Sequence, residues 1–313
     1  MKIKPDTMKL DLPSQSALSG SAPTAIVLAD QLVEGELKDI FGRLEAASLV
    51  VAGKTVIEHT LLELQELHVQ ECIVLAGENA EEIQKLIETE GRWGMTVTVM
   101  NYSRSVEEVL REFKSLSDPN GLLVIEANCL RGFCLGAFLS QAAQSEFSLL
   151  EAKYDQSPAG ITLLKPTSAD FIINAMPITL DGIETNTLKT ARDFHRANFE
   201  VMSGLYKGLE PSVMFNGQLG RRQHWASHVS KPSLAASIGL QSKDNGVDWV
   251  DVMIDKHCQV GRSVSMDSVI LNHDVYVEAN TNLDNTVVMP NSIVSSGAIS
   301  NSIVHRDAIF DLS

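Results

Sequence analysis

Between residues 24 and 151, short apolar runs alternate with stretches that are apolar on one helical face. The runs Ala25–Ala29, Cys72–Ala76, Met95–Met100, Leu122–Glu126 and Phe147–Glu151 predict strands. Between them, Ile57, Leu61 and Leu64, with Leu67 beyond, mark one helix, and Ile83, Leu86 and Ile87 a second. Val106, Val109, Leu110, Phe113 and Leu116 mark a third, which the turn at 118–121 (DPNG) ends. Alternation of this kind predicts an α/β fold, Rossmann-like, with a mostly parallel sheet and helices on both faces.

The pattern changes after residue 152. Residues 157–173 contain a strand-like run and a short helix, and 187–205 read as a helix with Phe194, Ala197 and Val201 on one side. Residues 217–233 (GQLGRRQHWASHVSKPS) form a polar, locally basic connector, read as a solvated linker in so acidic a chain. Near the C-terminus, Met266-DSVI, Leu283-DNTVV and Ile299-SNSIV repeat one pattern, with starts 17 and 16 residues apart. Ile254 and Val260 add the six-residue spacing of aliphatics that suits a three-sided parallel β-coil. Turn glycines are few, chiefly Gly261 and Gly297, and an ordinary small β domain is the competing reading.

Composition narrows the classes. A length of 313 residues holds two modest domains or one large one. Apolar residues at 44% with aromatics at 5% imply an aliphatic interior. A net charge of -15 argues against nucleic acid or an anionic membrane surface as partner, since polyanions are repelled. Cys72, Cys129, Cys134 and Cys258 form no CxxC pair and read as reduced, buried thiols. No apolar run reaches the roughly 18 residues of a membrane span, and residues 1–23 read as a flexible leader without a signal-peptide core. A cytoplasmic location is expected. The expected organisation is a leader (1–23), an α/β domain (24–215), a connector (216–249) and a parallel β-helix (250–313).

Candidate chemistry starts at the first strand. In a doubly wound domain the turn after it is where glycines admit phosphate. Here that turn, Asp30–Glu36 (DQLVEGE), has one glycine, Gly35, and three carboxylates. Other segments carry a resemblance. Val51–Leu64 (VAGKTVIEHTLLEL) is similar to a Gly-Lys-Pro segment before a helix, with Thr55 in place of proline. Arg92–Val99 (RWGMTVTV), Leu122–Leu130 (LLVIEANCL) and Ala159–Pro166 (AGITLLKP) resemble, in turn, a Trp-Gly turn, a metal-binding strand end and an Ala-Gly-Ile strand. Ile183–Asn198 with Met202–Leu205 looks like a helical linker ahead of a coil.

Together these segments resemble the sugar-1-phosphate nucleotidyltransferases, or NDP-sugar pyrophosphorylases. The resemblance implies a nucleotidyltransferase domain of the GT-A type followed by a left-handed parallel β-helix built on hexapeptide repeats. It also exposes departures. The family's glycine-rich loop with its arginine is replaced by DQLVEGE, and the lysine of its Pro-Lys pair is missing from Glu45–Val50 (EAASLV). The strand-end aspartate that holds magnesium falls on Ala127, between Glu126 and Asn128. Transfer to the α-phosphate of a nucleoside triphosphate depends on positioning and on neutralising charge with metal, lysine, arginine and amides. Losing one comparable group commonly costs about a hundredfold or more.

The sugar-phosphate end is read two ways. Glu151–Tyr154 (EAKY) is either a relic of the family's Glu-Glu-Lys-Pro or an unrelated strand end. As a relic, it makes Glu151 a hydroxyl acceptor and Lys153 a phosphate contact, with Asn128 beside them. Lys54 is either a ligand or a solvated residue ahead of a helix. Glu126, Asp30 and Lys54 are the candidates for a rebuilt catalytic site. His257, His273 and His305, separated by 16 and 32 residues, either stack along a coil edge as in coil-type acyltransferases or are chance corner residues. Asp181 with Glu184, and Glu107 with Glu108, read as exposed pairs. No GxSxG, HExxH or Walker loop occurs.

Two functions follow. One is a catalytically degenerate relative, a pseudoenzyme needing no cofactor. It acts as a binding, regulatory or scaffolding subunit and recognises a nucleotide, sugar phosphate or nucleotide sugar. As an oligomer it pairs with itself or with an active relative. The other is an active nucleotidyltransferase with a rebuilt site and Mg2+.

Overall fold

The computed structural model describes residues 22–90, 93–112, 121–154, 157–165, 175–182, 184–211, 214–218, 222–223 and 248–313. The leader to residue 21, Arg92, Phe113, Leu116, the turn at 118–120, the short helix expected within 166–173, Ile183 and most of the basic connector lie outside them.

In chain order the first half begins β1 (Thr24–Leu28), α1 (Gly35–Phe41), β2 (Val50–Val51), β3 (Lys54–Thr55) and α2 (Val56–Glu66). It continues β4 (Glu71–Ala76), α3 (Ala80–Glu90), β5 (Thr96–Asn101), α4 (Val106–Glu112), β6 (Leu122–Glu126) and β7 (Leu130–Arg131). Then come α5 (Leu135–Gln144), β8 (Leu149–Tyr154), β9 (Ser157–Leu164), β10 (Met176–Thr179), β11 (Thr185–Asn186) and α6 (Ala191–Met202). All five expected strands form, the last three residues later than its apolar run ends.

Seven strands make one sheet in the order β10-β8-β9-β6-β1-β4-β5. β1 is an interior strand, parallel to its neighbours β4 and β6, and β9 runs against its own neighbours. Strand alternation divides the core. Ala25 and Val27 of β1 pack with Ile57, Leu61 and Leu64 of α2, Ile83 of α3 and Phe138 of α5. Ile26 and Leu28 face the other way, with Val109 and Leu110 of α4. Helices therefore cover both faces. Thr55, at the position the resemblance gives to proline, supplies a capping box. Its hydroxyl accepts from the Glu58 amide, and the Glu58 carboxylate accepts from the Thr55 amide.

The second half holds β12 (Met214–Gln218), β13 (Arg222–Gln223), β14 (Asp248–Ile254), β15 (Gln259–Val260), β16 (Ser265–Leu271) and β17 (Tyr276–Val277). β18 (Thr281–Val288), β19 (Ile293–Val294), β20 (Gly297–His305) and β21 (Ala308–Asp311) complete it. β14, β16, β18 and β20 form one parallel ladder, and β15, β17 and β19 another. The repeated Met266, Leu283 and Ile299 are register partners. Corners fall where the backbone turns left-handed. One column is Asp251, Ser268, Asn285 and Asn301, a second His257, Asp274 and Asn291, and a third Ser263 and Asn280. Asn and Asp tolerate this conformation, which explains why so few glycines suffice. Gly261 is a different case, because a Cβ there would sit 2.4 Å from the Ala279 amide of the next turn.

Antiparallel strands flank the first ladder at both ends, β12 and β13 before it and β21 after it. Val252, Ile254, Val269, Leu271 and Val288 pack inward. Met253, Ile270, Val287 and Ile303 form an outward column buried with Phe194, Ala197 and Val201 of α6 and Leu37 of α1. That shared cluster joins the two halves.

Candidate functional site

The carboxyl ends of β1, β6 and β8 gather the polar residues. β6 ends at Glu126, paired with Leu28, and Ala127 continues by donating its amide to the Leu28 carbonyl at 2.8 Å. Ala127 is 1% exposed and belongs to the cluster under α2 and α5. Alternation assigns Glu126, Gly160, Glu151 and Lys153 to the opposite face, since Ile125, Ile161, Leu150 and Ala152 all join the Ala127 cluster. The place that the resemblance gives to a metal-binding aspartate thus holds a buried methyl group, and alternation turns the neighbouring carboxylate to the other face.

The strand-end groups pair with one another. Gln31 Nε2 donates to Glu126 Oε1 at 3.3 Å, and Asn128 Nδ2 donates to Gln31 Oε1. Ser103 donates to Asp30 Oδ2 at 2.5 Å. Lys153 Nζ lies 3.8 Å from Glu151 Oε2, with both side chains about one-third exposed. Burial pushes the Glu126 carboxyl pKa up, the Gln31 hydrogen bond opposes that, and the Glu151 charge adds to it. Gly160 leaves room beside this side chain, since a Cβ there would lie 3.2 Å from Glu126 Cβ.

Lys54 has a different place. Its Nζ donates to the Glu210 carbonyl at 2.8 Å, and its charge reaches His59 and Asp255. It is an anchor between β3, the chain after α6 and the first ladder.

The histidines do not stack along one edge. His257 sits at a left-handed corner beside Asp274 in register, whereas His273 precedes that corner and bonds Asp274 Oδ2 at 2.9 Å. His305 packs edge-on against Phe41 at 5.3 Å between ring centroids. The physical reason is the repeat itself: ladder partners are 17 residues apart in the first turns, not 16. Spacing of 16 therefore slips one column.

Behind the strand ends is a buried polar cluster that sequence reasoning missed. Arg131 Nε lies 3.5 Å from Glu63 Oε2, both side chains being almost wholly buried. Glu63 Oε1 accepts from the amides of Cys134 and Leu135 at the start of α5. His59 bonds the Val51 carbonyl at 3.1 Å, and burial holds its pKa down at about 3, so the ring is neutral. A signal existed: Arg131 is a lone cation directly after the LLVIEANCL run. Gln31 carries no such signal, because glycines and charges, not amides, mark a phosphate-binding turn. All four cysteines are buried and unpaired.

No family model matches the chain, and no curated protein matches it. Among solved structures the chain is similar to HddC from Yersinia pseudotuberculosis, with TM-score 0.47 and 11% identity over 56% of this chain and 98% of that one. A second structure, of HddC complexed with GMP-PN, gives TM-score 0.46 and 12% identity over the same shares. Both likenesses are distant. Among the described residues, no helix is long and apolar enough to cross a membrane. None of their His, Cys, Asp and Glu side chains forms a group of three or more that could hold a metal.

Proposed function

We propose that this chain is a nucleotidyltransferase-like protein of nucleotide-sugar or exopolysaccharide metabolism. In this reading it is catalytically degenerate and works as a cytoplasmic binding, regulatory or scaffolding subunit, with a C-terminal left-handed parallel β-helix. The single observation that carries the reading is Ala127, buried at the strand end where a magnesium-binding carboxylate belongs. The surrounding polar groups support it, since they answer one another rather than a triphosphate. Phosphoryl chemistry without a metal, a free lysine or a glycine-rich loop lacks most of its electrostatic support. The proposed partner is a second copy or an active relative.

A magnesium ion does not fit this strand end as the family would hold it, because Ala127 offers no oxygen. One observation favours the active alternative: Glu126 and Glu151 are close enough to raise the Glu126 pKa, and magnesium needs only one or two carboxylates. Pyrophosphate release, measured over several nucleoside triphosphates and sugar-1-phosphates with magnesium, decides between them. No turnover is expected. Robust turnover that disappears in Glu126→Ala would overturn the degenerate reading.

A further inference from the structure

We infer that β5 is the surface through which two copies of this chain associate, pairing antiparallel and edge to edge so that their two sheets become one. The inference rests on the second-copy partner of the proposed function and names its surface. The loss of catalysis plays no part in it.

The edge is open and lacks the usual protection. Among the described residues β5 has one neighbouring strand, β4. Thr96 donates its amide to the Gln70 carbonyl at 2.9 Å, on the β4 side. Strand alternation then directs the N–H and C=O groups of Val97, Val99 and Asn101 away from β4. Edge strands are ordinarily blunted by lysine, proline or a bulge. β5 (TVTVMN) has no charge and no proline, and its register with β4 is unbroken. Val97 and Val99 pack into the cluster that holds Ile83 and Ile87 of α3, so Thr96, Thr98 and Met100 stand exposed on the opposite face.

Charge selects a second copy as the occupant. At a net charge of -15, two copies repel unless the surfaces that meet are neutral or complementary. Residues 94–103 (GMTVTVMNYS) carry no charge. A two-fold axis at Val99, the middle of the three outward-pointing residues, engages all of them. Val99 then meets Val99, Val97 meets Asn101, and Thr98 stands opposite Met100. An axis normal to the sheet keeps corresponding faces together, and the same register sets Tyr102 opposite Thr96 of the second copy. The β4 neighbour of Thr96 is the exposed Glu71. Arg104 stacks over the Tyr102 ring at 4.2 Å, and its ion pair within the chain, to Glu112, is long at 3.7 Å. Two strand spacings of about 4.8 Å separate Tyr102 from that Glu71, a gap the arginine side chain can bridge. A neutral centre is thus flanked at each end by an Arg104–Glu71 pair.

The test is sedimentation equilibrium and amide hydrogen exchange on the full chain. A dimer is expected, with slow exchange at Val97, Val99 and Asn101 that becomes fast on dilution to monomer. Thr98→Lys, at an exposed position, sets two ammonium groups close to the axis and is expected to weaken the dimer at least about tenfold, with unchanged circular dichroism. Arg104→Glu and Glu71→Arg are each expected to weaken it about threefold, and the double exchange to restore it. Those two exposed positions carry the test on their own if Thr98→Lys does not fold. A monomer at every concentration overturns this inference and the second-copy partner together. A dimer that folded Thr98→Lys leaves intact, or that the double exchange fails to restore, overturns only the surface. Slow exchange at Val97 and Val99 in a monomer, lost on removing residues 1–21, makes the leader the occupant and overturns the inference too. Pyrophosphate release in the same samples bears on the degenerate reading alone.

Discussion

The carboxyl end of the first sheet and the C-terminal ladders use their side chains in opposite ways. At the strand ends, Gln31 bonds Glu126 and Asn128, Lys153 pairs with Glu151, and Asp30 accepts from Ser103, all with partly accessible side chains. In the ladders, successive turns bury apolar residues inward, and a second apolar column, Met253, Ile270, Val287 and Ile303, outward beneath α6. The difference teaches where cohesion resides. Burial of aliphatic surface stabilises in proportion to area, whereas exposed polar pairs contribute little. The ladder and its helical cover hold the halves together, and the strand end is free to vary.

The sharpest way to break that comparison is at the shared cluster. Phe194 is fully buried there and meets Phe41 edge-on at 5.4 Å. Phe194→Ala is expected to cost about 3–5 kcal/mol, measured by urea unfolding. A smaller loss, under about 1 kcal/mol, would mean that α6 does not bind the halves together.

Gly261→Val comes next, at about 2–3 kcal/mol from overpacking against the Ala279 backbone. Its counterpart in the first region is Gly35→Ala, at φ +54° with nothing within 4 Å of the added methyl group. That change carries only the left-handed backbone cost of about 1 kcal/mol. Equal losses would erase the distinction between packed corner and open turn.

Acid sharpens the contrast through two buried groups of opposite sign. The folded pKa of His59 is about 3, below its ordinary 6.5, chiefly because of burial. Below pH 6.5 the unfolded chain therefore binds the extra proton. His59 stabilises fully above that pH and loses about 1.4 kcal/mol per pH unit as acid drives the pH toward 3. Asp255, at the end of β14, has its carboxyl pKa raised by burial. Its contribution is present below the ordinary 3.8 and is lost as pH rises through the folded value. Urea unfolding between pH 7 and 4.5 is expected to show a shallower decline in His59→Gln. Asp255→Asn is expected to gain stability near neutrality.

Thr55→Ala, which removes the capping box of α2, is expected to cost about 1 kcal/mol. Glu126→Gln closes the series at less than about 0.5 kcal/mol in either direction. A larger loss there would make the strand end part of the framework after all.

Much of this was legible in the chain. The strand Leu122–Glu126 has the bounds its apolar run predicts, and the Met266, Leu283 and Ile299 repeat is a true register. Both are local patterns of period. The candidate site was legible only as separate residues. That Ala127 points into the core could be read from alternation, but that Gln31 clasps Glu126 across 95 positions of chain could not. The histidine spacing misled for a related reason, since a slip of one residue moves a side chain to another column.

Taken alone, the sequence determined the strands, the helical faces, the repeat and a first turn with one glycine and three carboxylates, because each is written within one or two turns of chain. Tertiary structure decided that an outward apolar column is covered by α6, that Lys54 donates to the Glu210 carbonyl, and that Arg131 is buried against Glu63. Those outcomes depend on contacts between residues far apart in the chain, whose meeting is set by how whole elements pack.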